Sequence, residues 1–179
     1  MRHALVLRNR ARGISLVESL MTTTIVTVLL GLAAPDFVDQ AARRRVESLA
    51  AQLETDIQLA RTEAVQRSQT VRMSFARDAQ GSCYVLHTGG AGDCGCDSAG
   101  HTVCTAGVQT LRVVGLPRGD VERHAGSPSF LIDAVGGTVT PTATLRLVSP
   151  AGSLHQVVNI MGRVRSCTPD GRLAGHRRC

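Results

Sequence analysis

The chain has 179 residues, 43% of them apolar and 19% charged, which excludes an extended disordered chain and leaves ample length for one buried core. Its net charge of +6 arises from 20 basic residues, every one arginine, against 14 acids. There is no Trp, one Tyr (Tyr84) and three Phe (Phe37, Phe75, Phe130), which counts against a nucleic-acid binder that stacks bases but not against one that touches only phosphates.

Residues 1–13 read MRHALVLRNRARG, with Arg2, Arg8, Arg10 and Arg12 and no acid. From Ile14 to Ala34 the only ionisable side chain is Glu18. A helix of that length spans roughly 30 Å, about one bilayer core. The positive flank keeps the N-terminus cytoplasmic, so the rest of the chain is expected to be exported. A secretory signal peptide shares the basic start and apolar run, and Gly31-Leu32-Ala33 imitates its cleavage site. The run is long for that purpose, however. It also holds a carboxylate that costs several kcal/mol if unpaired in lipid, which a disposable signal has no reason to keep.

Gly13-Ile14-Ser15-Leu16-Val17-Glu18, behind a short basic leader, resembles the class III signal of type IV pilins and pseudopilins. The resemblance implies that a prepilin peptidase cuts after Gly13, that the new amine of Ile14 is methylated, and that the apolar helix stays on the mature protein. Ile14 stands where Phe is usual in the family; Pro35 stands where many pilins also have Pro. Glu18 is then the carboxylate that meets the N-terminal amine of a neighbouring subunit in a filament, the positive partner that makes its burial tolerable. The implied location is the inner membrane, crossed once, with the globular part in the periplasm and the protein assembled into a pilus or pseudopilus. The implied partners are other major and minor pilins and the peptidase.

After Pro35 the apolar positions Val38, Ala42, Val46, Leu49, Leu53, Ile57, Ala60 and Ala64 recur every three or four residues, a helical stripe. Arg43-Glu47 and Glu63-Arg67 are i,i+4 pairs on its polar side. Arg43-Arg44-Arg45 reads mainly as solvated helix surface, with a lipid-headgroup or DNA role as the lesser reading. The helix should end near Ser68, with a bend at Pro35, whose ring removes a backbone hydrogen bond. Short β-rich runs follow at 71–75, 83–86, 111–114, 129–132, 138–140, 145–148 and 155–160, separated by Gly and Pro clusters. The expected fold is therefore α+β: one long N-terminal helix, a transmembrane half followed by an amphipathic half, packed on antiparallel sheet. The expected segments are a cleaved leader 1–13, a span 14–34, an amphipathic part 35–69 and a β-rich domain 70–179. The strand region, with Gly136-Gly137-Thr138 and Gly162-Arg163-Val164-Arg165, resembles the GspH/FimT branch of minor pseudopilins.

Six cysteines lie on the exported side: Cys83, Cys94, Cys96, Cys104, Cys167 and Cys179. Disulfides form there, and Cys94-Gly95-Cys96 lacks the spacing of paired metal ligands, so disulfides are expected and no metal. Cys167–Cys179 is the first pairing. A direct Cys94–Cys96 bond is too strained. The other four pair either locally (Cys83–Cys94, Cys96–Cys104) or crossed.

The last segment, Gly162–Cys179, holds Arg163, Arg165, Arg172, Arg177, Arg178 and His176 against a single acid, Asp170. In a strand Arg163 and Arg165 share a face, and the expected Cys167–Cys179 bond draws Arg177 and Arg178 back beside them. Such a stapled patch suits phosphate oxygens, which arginine grips bidentately. Gly162-Arg163-Val164-Arg165 is similar to the G-R-x-R motif of FimT-type minor pilins, which implies non-specific DNA capture in natural transformation. That resemblance puts Arg163 and Arg165 first as DNA contacts, with Arg172, Arg177, Arg178 and His176 in support from charge. The alternative is a GspH-type pseudopilin of a type II secretion system, whose arginines contact only partner subunits. An exported enzyme could recruit His87, His101, His124, His155 and Asp133, but no nucleophile elbow, HExxH or P-loop is present, so no catalysis and no cofactor are expected.

Overall fold

The computed structural model describes residues 15–119 and 121–179, with the backbone alone for 32–36. The expected leader, with Gly13 and Ile14, lies outside the described residues. Two compact units result, 1–38 and 39–179, and one helix, α1 (Leu16–Gln66), contributes to both.

In the first unit the described apolar side chains are largely exposed. Leu20, Met21, Ile25, Val26, Leu29 and Leu30 are each more than half exposed. The four threonine hydroxyls among them turn inward on the helix itself: Thr22 and Thr23 donate to the Ser19 carbonyl, Thr24 to Leu20 and Thr27 to Thr23. Among the described residues no helix is long and apolar enough to cross a membrane. The described apolar run ends at Gly31, short of the roughly 20 residues a span needs. The expected span 14–34 includes Ile14 and the side chains of 32–34, which lie outside the described residues, as does the Pro35 ring on which the expected bend rests.

In the second unit the helix stripe does what its periodicity requires. Of the expected stripe, Val46, Leu53, Ile57, Ala60 and Ala64 are buried, Ala42 and Leu49 are half-buried and Val38 is exposed; Ala50, one position on from Leu49, takes the buried place because it faces the second sheet. The helix ends two residues before Ser68, which takes a left-handed φ of 51° and closes the turn into the first strand.

Twelve strands follow among the described residues, where the sequence reading gave about seven. They are β1 (Val71–Asp78), β2 (Gly81–Thr88), β3 (Cys94–Cys96), β4 (Thr102–Cys104), β5 (Thr110–Pro117), β6 (Glu122–Ala125), β7 (Ser129–Ile132), β8 (Val139–Thr140), β9 (Ala143–Ser149), β10 (Gly152–Val158), β11 (Val164–Thr168) and β12 (Arg177–Arg178). The additional ones are short; β3, β4 and β12 exist because disulfides hold them, a constraint that apolar alternation does not encode. One sheet runs β5-β2-β1-β7-β8 and another β12-β11-β10-β9-β6, with β3-β4 a separate hairpin. Every pairing is antiparallel except β11–β12.

Both sheets turn one face to the helix. Leu53, Ile57, Ala60 and Ala64 pack with Met73, Leu86, Phe130 and Ile132 of the first sheet and Leu145 and Val158 of the second. Val46 and Ala50 pack with Leu147, Leu154 and Leu173. Two polar contacts fix the helix against the sheets. The buried Asp56 accepts from the Tyr84 hydroxyl at 2.6 Å and from Arg112 Nε at 2.8 Å, and the buried Gln156 donates to the Ala50 carbonyl at 2.6 Å. Arg123 of β6 points inward instead, its guanidinium 5.1 Å from the Phe75 ring centre and 4.8 Å from that of Tyr84, with a bond to the Cys83 carbonyl. Burial lowers its pKa to about 10, which still leaves it charged at neutral pH.

Candidate nucleic-acid interface

Strand alternation sorts the second sheet into two faces. On β10, Leu154, Gln156 and Val158 are buried against the helix, so Ser153, His155 and Val157 look outward. The register carries the same division to β11, where Thr168 is buried while Arg165 is exposed. Arg163 and Arg165 therefore lie on the outward face, two residues apart.

The glycine of Gly162-Arg163-Val164-Arg165 builds the turn that places them. Gly162 has φ +68° and donates its N–H to the Asn159 carbonyl. The Asn159 side chain accepts from the Arg163 N–H at 2.9 Å. A Cβ at Gly162 would come within 2.6 Å of the Arg61 side chain, whose Nε donates to the Gly137 carbonyl of a neighbouring turn. Any side chain here meets both an unfavourable backbone angle and occupied space.

All six cysteines are bonded: Cys83–Cys96, Cys94–Cys104 and Cys167–Cys179. The first four pair in the crossed pattern. The C-terminal bond lays β12 parallel to β11, with Arg177 opposite Cys167 and Arg178 opposite Thr168. Arg177 thus joins Arg163 and Arg165 on one face, one strand away. Arg178 lies near Gly171. His176 reaches the other way, to Glu47 of the helix at 3.8 Å.

Arg172 is not part of that group. It sits beside Gly152 at the start of β10, whereas Arg163 follows the turn at the far end of that strand. Six residue steps of strand separate those ends by about 20 Å. Asp170 between them is already committed: it accepts from the Thr168 hydroxyl and the Arg172 amide, and from the Ser153 amide. Those bonds, the Thr168 one foremost, hold its pKa below the usual carboxylate value.

The structure adds Arg146, which the sequence did not single out. It is exposed on β9 in register with His155, which is itself in register with Cys167. Two strand spacings put its backbone roughly 10 Å from β11. Its lone place in an alternating strand gave no motif; only the sheet order brings it to the arginines of β11. His155 adds no charge at neutral pH, because partial burial and then Arg146 lower its pKa. The group holds phosphate donors and nothing that reads bases: no aromatic ring, and strands rather than a helix of groove size. Glu18 is exposed on the N-terminal helix. His87, which an exported enzyme could recruit, is buried and hydrogen-bonded to Ser74 at 2.9 Å; burial lowers its pKa. Among the described residues no cluster of three or more His, Cys, Asp or Glu could hold a metal.

The family described as Type II transport protein GspH matches residues 49–162, most of the chain. The chain belongs to the GspH family. This is the minor pilin and pseudopilin family to which the N-terminal motif points. Among solved structures, the GspH-family chain is similar to the type IV minor pilin FimU of Pseudomonas aeruginosa, at 19% identity and a TM-score of 0.52, over 69% of this chain and 88% of that one. At that identity the likeness establishes the pilin-like fold and no more. It is also similar to the minor pseudopilin EpsH from the Type 2 Secretion System of Vibrio cholerae, at 14% identity and a TM-score of 0.49, over 69% and 97% of the two chains. No curated protein matches the sequence.

Proposed function

We propose that this GspH-family protein is a minor type IV pilin that takes part in pilus assembly and binds DNA non-specifically for uptake in natural transformation. In this reading residues 1–13 are a leader removed by prepilin peptidase after Gly13. Residues 14–34 anchor the protein in the inner membrane, 35–69 form the amphipathic helix, and 70–179 the periplasmic domain. Support for the anchor comes from the uncovered apolar side chains before residue 32 and from threonine hydroxyls satisfied within their own helix, which is what a lipid environment demands. Methylation of Ile14 and pairing of Glu18 with a neighbour's amine belong to the same reading.

The observation that carries DNA binding is the outward face of β11 and its neighbours. Arg163 and Arg165 stand side by side, Arg177 is held beside them by a disulfide, and Arg146 extends the face across the sheet. Arg178 lies at its edge. Arg172 and His176 point elsewhere and are not needed. The test is a gel shift of short duplex DNA with the detergent-solubilised protein. Arg163→Ala with Arg165→Ala should abolish retardation; retention of binding would remove the proposal. In cells the same pair should lose transformation while pili remain.

A second reading is favoured by the family's own description, which places its members in type II transport. The protein would then be a GspH-type pseudopilin whose arginines meet acidic partner subunits. N-terminal sequencing starting at Ile14 fits either reading; a start at Ala34 or Pro35 excludes both.

A further inference from the structure

The second arginine group lies at the opposite end of the domain. Arg43 of the helix and Arg172 of the loop after β11 line one cleft with Asp39, Pro150 and Ala151. The cleft offers about 290 Å³ and opens to solvent, so a phosphate group can enter it. Both arginines are exposed, and among the described residues neither is held in an ion pair. Among the described residues the acids at this end are accounted for. Asp170 is taken up by Thr168, Ser153 and the Arg172 amide, and Glu47 faces His176. Asp39 is the one carboxylate lining the cleft. Arg44, also exposed, keeps the local balance positive.

This inference rests on the membrane-anchored reading. If the span ends at residue 34, Arg43 follows only nine residues later in the sequence, so chain connectivity keeps it near the membrane surface. The polar headgroup layer extends some 5–8 Å beyond the hydrocarbon core, and an arginine side chain reaches back several ångströms toward it. We propose that the Arg43–Arg172 cleft holds the phosphate of an anionic phospholipid headgroup on the leaflet from which the domain emerges. The headgroup would then join the helix to the β9–β10 turn, with Pro150 and Ala151 as its floor. A basic residue near an anionic leaflet favours the bound state about fivefold, so two give roughly thirtyfold.

Hydrogen exchange on the full-length protein in lipid nanodiscs tests this. In phosphatidylcholine discs containing phosphatidylglycerol, amides of 151–152 and 171–173 should exchange about tenfold more slowly than in pure phosphatidylcholine discs, within that thirtyfold limit. The slowing should vanish in Arg43→Gln with Arg172→Gln and persist in Arg163→Gln. Equal exchange in both discs overturns the proposal. If glycerol phosphate in solution reproduces the slowing in pure phosphatidylcholine discs, the cleft is a free-phosphate site and the membrane assignment is wrong. If the Arg43→Gln, Arg172→Gln protein loses DNA retardation as Arg163→Ala with Arg165→Ala does, the cleft belongs to the DNA surface instead. Failure of the protein to enter either disc is a different result: it refutes the anchor and this inference with it.

Discussion

Single residues decide whether the basic face is presented at all, and Gly162 is the clearest case. Its positive φ and the closeness of Arg61 mean that Gly162→Ala should cost about 1–3 kcal/mol in urea unfolding. It should also weaken DNA retardation, because the turn sets the direction of Arg163. Unchanged stability would show that Arg61 simply moves aside. Tyr84 tests the buried polar contact. Burial, then the bond to Asp56, raises its pKa above the ordinary phenol value, so the folded protein keeps the proton that the unfolded chain releases near pH 10. The resulting stability is fully present below about pH 10 and is lost as pH rises above it. Tyr84→Phe should lose about 2 kcal/mol at neutral pH and should lack the wild-type decline in alkali. A decline of equal size in both proteins would place its origin elsewhere. At this scale the sequence was legible where a motif carried the residue: Arg163 and Arg165 stand as a pair because alternation requires it. Asp56, Arg112 and Arg123 were not legible, since a buried charge is identified only by what surrounds it. The separation of Arg172 from Arg163 was not legible either, because net charge along a segment says nothing of which end of a strand each residue reaches.

Among the elements, β12 depends most on a covalent constraint. It is two residues long and pairs with β11 by two register positions, far too little to persist unaided. The Cys167–Cys179 bond supplies the rest by closing a loop of 12-residue separation. On loop-entropy grounds a bond of that size is worth about 3 kcal/mol. Cys167→Ser with Cys179→Ser should lower stability by that order and should also weaken DNA binding, because Arg177 leaves the shared face. Stability lost with DNA binding intact would take Arg177 out of the interface. The long helix and the main strands were readable because apolar side chains must recur at 3.6 or 2 residues to face a core. Its expected stripe is buried at Val46, Leu53, Ile57, Ala60 and Ala64, half-buried at Ala42 and Leu49, and exposed at Val38. Sheet order was not readable. Arg146 joins the arginines of β11 only because β9 and β11 flank β10, and that adjacency is set by packing of two sheets on one helix.

For the whole molecule the total charge is a poor guide. Residues 1–13 carry +4 and Gly162–Cys179 another +4, so on the proposed cleavage after Gly13 the remaining chain holds 6 − 4 = +2. The structure divides the C-terminal share again, with Arg163, Arg165 and Arg177 on one face and Arg172 at the other end of β10, about 20 Å from Arg163. At physiological salt the Debye length is about 8 Å, so Arg172 and the Arg163 end of the face act on their surroundings separately. On the proposed function, DNA would meet a local field of about four arginines, Arg146, Arg163, Arg165 and Arg177, and not a generally basic protein. Neutralising about four phosphates gives a slope of log K against log salt near −3.6. Between 50 and 200 mM salt, affinity should then fall about a hundredfold. Removal of Arg146 alone should reduce the slope by about 0.9 and weaken binding equally for unrelated sequences, as a phosphate contact must. Arg172→Gln should leave the slope where it was. A slope twice as steep, with Arg172 contributing, would mean that DNA wraps both ends of the domain. A slope near zero would mean that the arginine face serves protein partners, which is the pseudopilin reading.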